Sequence, residues 1–90
     1  MKSNLYRVDW DSEDILFGYE SFIVAANNEE EARNTFPNGD NSDWAEKSYY
    51  SRYWIPKSHV DKLVVTYVGE YMEYVEQPQI VMYKATDSTL

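Results

Sequence analysis

The sequence predicts an α+β fold: a mainly antiparallel sheet of four or five strands with one short helix, in the order β-β-α-(β)-β-β. Three observations lead to this. Four segments are rich in β-branched and aromatic residues. Only one segment opens like a helix. The length, 90 residues, suits a single domain spanning 1–90.

Leu5-Tyr6-Arg7-Val8-Asp9-Trp10 alternates apolar and polar residues, the pattern of a half-buried strand. Either Leu5 or Tyr6 can lead its inward face. Residues 11–18 read as a connector broken by Gly18. Residues 19–26 read as a second strand, with Phe22 and Val24 on one face and Ile23 on the other. Asn27-Asn28 ahead of Glu29-Glu30-Glu31-Ala32-Arg33 is a helix start. An Asn oxygen can accept from a free first-turn N–H, and Glu there complements the helix dipole. Asn28 and Glu31 have capping-box spacing. The helix must stop before Pro37, and Pro37-Asn38-Gly39-Asp40 is a turn.

Residues 41–58 show no clean period. Within them, residues 48–55 fit either a strand or an aromatic loop, closed by Pro56-Lys57-Ser58-His59. Residues 63–68 are the strongest strand, ended by Gly69. Residues 71–78 are a connector, residues 79–86 a last strand, and residues 87–90 a frayed tail. Two hairpins flanking a short helix is the expected plan. One helix cannot cover four or five strands, so part of the sheet should stay open to a partner.

Composition narrows the function. The chain has 8 Lys+Arg against 16 Asp+Glu, a formal net charge of −8. Direct nucleic-acid binding is not expected, because phosphate contacts need Lys and Arg. There is no cysteine, hence no disulfide, thiolate metal site or thiol nucleophile. No apolar run approaches the roughly 18 residues of a membrane span. Lys2 is followed by Ser3 and Asn4, so no signal peptide is expected and the cytoplasm is the expected compartment. His59 is the one histidine, and Ser58 beside it in sequence is not expected to form a spatial dyad with it. Asp9, Asp11, Glu13 and Glu20 fall at positions 1, 3, 5 and 12 of a calcium-loop spacing. Asp14 stands where that loop needs glycine, and the flanks read as strands. No enzyme activity, metal or cofactor is expected.

The acids are unevenly placed. Residues 1–46 hold eleven acids and three bases, while residues 47–90 hold five of each. Side chains at i and i+2 of a strand lie about 6.6–6.8 Å apart, comparable with phosphates along a DNA strand. Asp9, Asp11 and Glu13 have that spacing, with Asp14 beside them. Glu29, Glu30 and Glu31 cluster at the helix start, and Asp40, Asp43 and Glu46 extend the series. Such a face can occupy a basic groove that normally holds nucleic acid. The plain alternative is charge for solubility. Tyr49, Tyr50, Tyr53 and Trp54 lie within six residues and are of the types enriched in interface anchors. The alternative places Trp44, Tyr53 and Trp54 in a core that has few Leu and Ile, and some of these rings are expected there.

Several segments together resemble small acidic proteins of phages and mobile elements. They are Phe22-Ile23-Val24-Ala25-Ala26, Asn28-Glu29-Glu30-Glu31-Ala32-Arg33, Pro37-Asn38-Gly39-Asp40, Val64-Val65-Thr66-Tyr67-Val68-Gly69-Glu70 and Ile80-Val81-Met82. The aromatic run 49–54 and the Tyr/Glu stretch 70–76 depart from the pattern. The resemblance implies an anti-defence role of the anti-CRISPR or anti-restriction type, without catalytic residues. The expected function is a non-enzymatic inhibitor that binds a basic nucleic-acid-binding groove on a host nuclease or effector. The alternative is a protein-binding or homodimerising module using the aromatic loop and a sheet edge.

Overall fold

A computed structural model describes residues 2–10, 17–42, 44, 54–55 and 57–87. It is α+β, with four strands, the helix α1 (Glu29–Arg33) and a 3-10 helix (Lys57–Lys62). The strands are β1 (Asn4–Asp9), β2 (Phe17–Ala26), β3 (Val64–Glu70) and β4 (Gln79–Asp87). Their order across the sheet is β3-β1-β2-β4, and all neighbours are antiparallel.

The expected second hairpin is absent, because β3 and β4 lie on opposite edges of the sheet. Residues 71–78 are too long for a tight turn, and they cross the end of the central β1–β2 pair instead. Ser3, just ahead of β1, fastens this crossover. Its N–H donates to the Glu73 carbonyl (3.1 Å), and its carbonyl accepts from the Tyr71 N–H (2.8 Å). Its hydroxyl accepts from the Val75 N–H (2.8 Å) and donates to Asn27 Oδ1 (2.7 Å). Asn27 Nδ2 donates onward to the Val75 carbonyl (3.0 Å).

Several boundaries differ from expectation. Gly69 does not end β3, since it pairs with Leu5 and the strand runs to Glu70. Gly18 does not break the chain, since it pairs with Thr86 inside the sheet. β4 runs on through Asp87, which was read as the start of a frayed tail. The optional fifth strand falls largely on residues 48–53, outside the described residues. Trp54 and Ile55, at its end, are buried and lie outside the sheet.

Alternation decides which face is inside. Tyr6 and Val8 of β1 lie opposite Val24 and Phe22 of β2, and all four are buried. They pack with Ala26, Ala32 of α1, Phe36, Trp44, Trp54, Ile55 and Leu63. The short helix holds because its ends are satisfied. Asn28 Oδ1 accepts from the Glu31 N–H (2.8 Å), and Glu31 Oε1 accepts from the Asn27 N–H (3.4 Å). In the turn that follows, Gly39 alone takes positive φ (84°), and its N–H reaches the Phe36 carbonyl (2.8 Å).

Arg33, the last residue of α1, ties the helix to the 3-10 helix. Its Nη1 lies 3.0, 3.2 and 2.7 Å from the carbonyls of Val60, Asp61 and Leu63. A five-residue helix is unstable alone, so this clamp matters. Arg33→Ala is expected to cost about 2 kcal/mol, the scale of a hydrogen bond from a charged donor. A urea titration reads the cost, and Arg33→Lys should recover only part of it.

Candidate functional site: the uncovered face of the sheet

Residues that alternate with the core positions project to the face away from α1. Cross-strand pairing places Leu5, Arg7 and Asp9 beside Ala25, Ile23 and Ser21 on this face. Val64 and Thr66 join them from β3, and Lys84 and Met82 from β4. Met82 is 61% exposed and Val64 54%. Ile23 and Leu5 are half-buried, and Ala25 is fully buried.

Two adjoining shallow grooves cut this face, of about 310 and 250 Å³. Both are lined by Arg7, Ser21 and Lys84. The first adds Asp9, Trp10 and Glu20, and the second adds Phe22, Ile23, Met82 and Tyr83. Ion pairs balance their charges. Arg7 Nε meets Asp9 Oδ1 at 3.0 Å, and Lys84 Nζ meets Glu20 Oε2 at 3.4 Å. Both pairs are largely exposed, so each contributes little to stability. They leave a partly apolar strip between two matched pairs of opposite charge.

Among the described residues the predicted acids lie on different elements. Asp9 lies on the uncovered side and is engaged by Arg7. Glu29, Glu30 and Glu31 belong to α1, whose Ala32 packs into the core on the other side. Glu29 and Glu30 are exposed, whereas Glu31 is spent on the helix start, meeting Asn27 and Asn28. Asp40 Oδ1 accepts from the Ser42 hydroxyl (2.6 Å) and backbone N–H (3.1 Å) in the turn after Gly39. Asp11, Glu13, Asp14, Asp43 and Glu46 lie outside the described residues. The two-fold alternation of β1 sets Asp9 on the side of the sheet away from the helix acids.

The aromatic anchor is corrected at Trp54. Its ring is 2% exposed and meets Trp10 and Phe22 edge-on, with centroids 5.7 and 5.4 Å apart. A sheet face built from Val8, Val24 and Ala26 needs a large ring to fill the layer beneath it. Tyr49, Tyr50 and Tyr53 lie outside the described residues.

Comparison with protein-family models, curated proteins and solved structures returns no match for the chain.

Ser58 Oγ and His59 Nδ1 share a hydrogen bond of 3.0 Å, so these neighbours do meet, contrary to the sequence reading. They sit on an exposed segment of the 3-10 helix, at a residue whose backbone leaves helical geometry (His59 φ −119°, ψ 16°). Of the calcium-loop positions, Asp9 and Glu20 belong to adjacent strands, with the Trp10 N–H donating to the Glu20 carbonyl (3.1 Å). Each carboxylate already faces a cation. Among the described residues no group of three or more His, Asp or Glu is placed to hold a metal ion. No helix there is long and apolar enough to cross a membrane. Lys57 lies 4.5 Å above the Trp44 ring and also meets Asn34 Oδ1. Partial burial pushes its ammonium pKa below the usual value.

Sequence reasoning did not single out Arg7, Ile23, Met82 or Lys84. The available signal was the alternation itself. Once Tyr6, Val8, Phe22 and Val24 face inward, the residues between them define the opposite face.

Proposed function

We propose that the protein is a non-enzymatic protein-binding module that meets its partner through the uncovered face of the sheet. The observation that carries this is the contrast between the two faces. One packs against α1 and a core of aromatic rings, with Tyr67 and Tyr83 exposed on its outer strands. The other presents Ile23 between Arg7 and Met82 on the neighbouring strands, with Val64 beside Asp9 on its outer side and the pair Glu20–Lys84 towards the other edge. An apolar strip rimmed by satisfied polar groups is the composition of a protein interface. Local charge balance suits a protein surface better than a polyphosphate or a strongly basic groove.

A second reading keeps the acids. Glu29 and Glu30 are exposed side by side on a chain of net charge −8. That supports an acidic inhibitor of the anti-CRISPR or anti-restriction kind, acting in a host cytoplasm on a protein with a basic nucleic-acid-binding groove.

Two double variants separate the readings. Met82→Glu with Lys84→Glu changes only exposed residues of β4. It should weaken capture of the partner about thirtyfold, the scale of a lost interface anchor. Glu29→Gln with Glu30→Gln should leave capture unchanged. The reverse pattern, with binding that weakens steeply as salt rises, would select the acidic reading.

A further inference from the structure

We propose that β3 pairs with the β3 strand of a second copy of this chain, antiparallel and about a two-fold axis at Thr66, joining two sheets into one. This concerns the edge of the sheet and does not depend on what the uncovered face binds.

β3 is an edge strand, and among the described residues only β1 pairs with it. Edge strands in soluble proteins are usually guarded by charges, proline or very short length. β3 lacks these guards. Its residues Val64-Val65-Thr66-Tyr67-Val68-Gly69 hold no charge and no proline. Val64, Tyr67 and Val68 are each more than half exposed. The opposite edge is different, since β4 carries Lys84 at its middle and Asp87 at its end. Thr66 lies in the regular part of β3, ahead of the irregularity that lets Gly69 rather than Val68 follow Tyr67 in the pairing with β1.

Charge selects the partner and the direction. The uncharged run is bounded by Lys62 before it and Glu70 at its end, both exposed. An antiparallel copy centred on Thr66 brings each Glu70 towards the other copy's Lys62, which closes the 3-10 helix just ahead of β3. It sets Val64 opposite Val68, Val65 opposite Tyr67, and Thr66 opposite itself. These are β-branched, aromatic and Thr–Thr pairs, which stabilise neighbouring strands. A parallel copy would set Lys62 against Lys62 and Glu70 against Glu70. The edge is therefore self-complementary in one orientation, as a two-fold interface requires. The interface is small and the monomer carries −8, so a weak and reversible dimer is expected.

Sedimentation velocity of the full chain, from about 5 to 500 µM, tests this over the range of a weak interface. The wild type should shift from monomer to dimer. Lys62→Glu and Glu70→Lys should each weaken the dimer about tenfold, since each creates two like-charge contacts. The double swap should restore it. Thr66→Lys, which sets two ammonium groups across the axis, should abolish it. Met82→Glu with Lys84→Glu should leave it intact. A wild type that stays monomeric throughout would overturn the proposal. So would a dimer indifferent to the Lys62 and Glu70 changes, or one lost only with Met82 and Lys84, which would place the contact on the uncovered face. Far-ultraviolet circular dichroism of every variant shows that the fold is kept.

Discussion

Trp54→Ala should cost about 3–5 kcal/mol, the range for removing a buried large aromatic side chain. At about 0.05–0.15 kcal/mol per residue, a 90-residue chain has only some 5–13 kcal/mol to lose. The variant should therefore unfold at a much lower urea concentration. The paired comparison is sharper. Among the described residues the buried Trp54 Nε1 has no hydrogen-bond partner, whereas Trp44 Nε1 donates to the Ile55 carbonyl at 2.9 Å. Trp54→Phe removes ring volume together with an unsatisfied donor. Trp44→Phe removes ring volume and leaves a buried carbonyl without its donor. Trp44→Phe should thus be the costlier by about 1–2 kcal/mol, the scale of an orphaned buried group. Equal urea midpoints would contradict that account.

Ser3→Ala should be the next most damaging, although it deletes a single oxygen. Ser3 is fully buried, and its hydroxyl serves both the Val75 N–H and the Asn27 amide. Removing it leaves two buried polar groups short of a partner, at about 2–3 kcal/mol in total. The loss should be local as well as global. Hydrogen exchange at the Val75 amide should rise far more than at Val24 in the centre of the sheet. A uniform rise across both would show that the crossover is not held by this residue.

Much of the secondary structure was legible because its causes are local. The Asn28 cap, the Glu31 that answers it and the Gly39 turn each depend on neighbours within a few positions. The inward placement of Phe22 and Val24 followed from alternation alone. Strand pairing did not, because nothing local in β3 says that it joins β1 rather than β4. The clue was a crossover too long for a tight hairpin. The side on which Asp9 lies was not legible for a related reason. The start of β1 suits either Leu5 or Tyr6 inward, and only the packed core selects Tyr6. That choice turns Asp9 away from α1. Trp54 was misplaced because side-chain type alone does not distinguish a core ring from a surface anchor. The choice depends on the volume left above Val8, Val24 and Ala26.

The strand order also has a consequence in time. Both outer strands come from the C-terminal third of the chain, and both pair with the hairpin made from its first 26 residues. At about 5–20 residues per second, a ribosome takes some 3–12 s to travel from the end of β2 to the end of β4. Until β3 is made the nascent hairpin has two open edges, and its β2 edge stays open until β4 follows. The first 46 residues, in which that hairpin lies, hold eleven acids against three bases. Copies emerging side by side on one messenger therefore repel each other while their edges are bare.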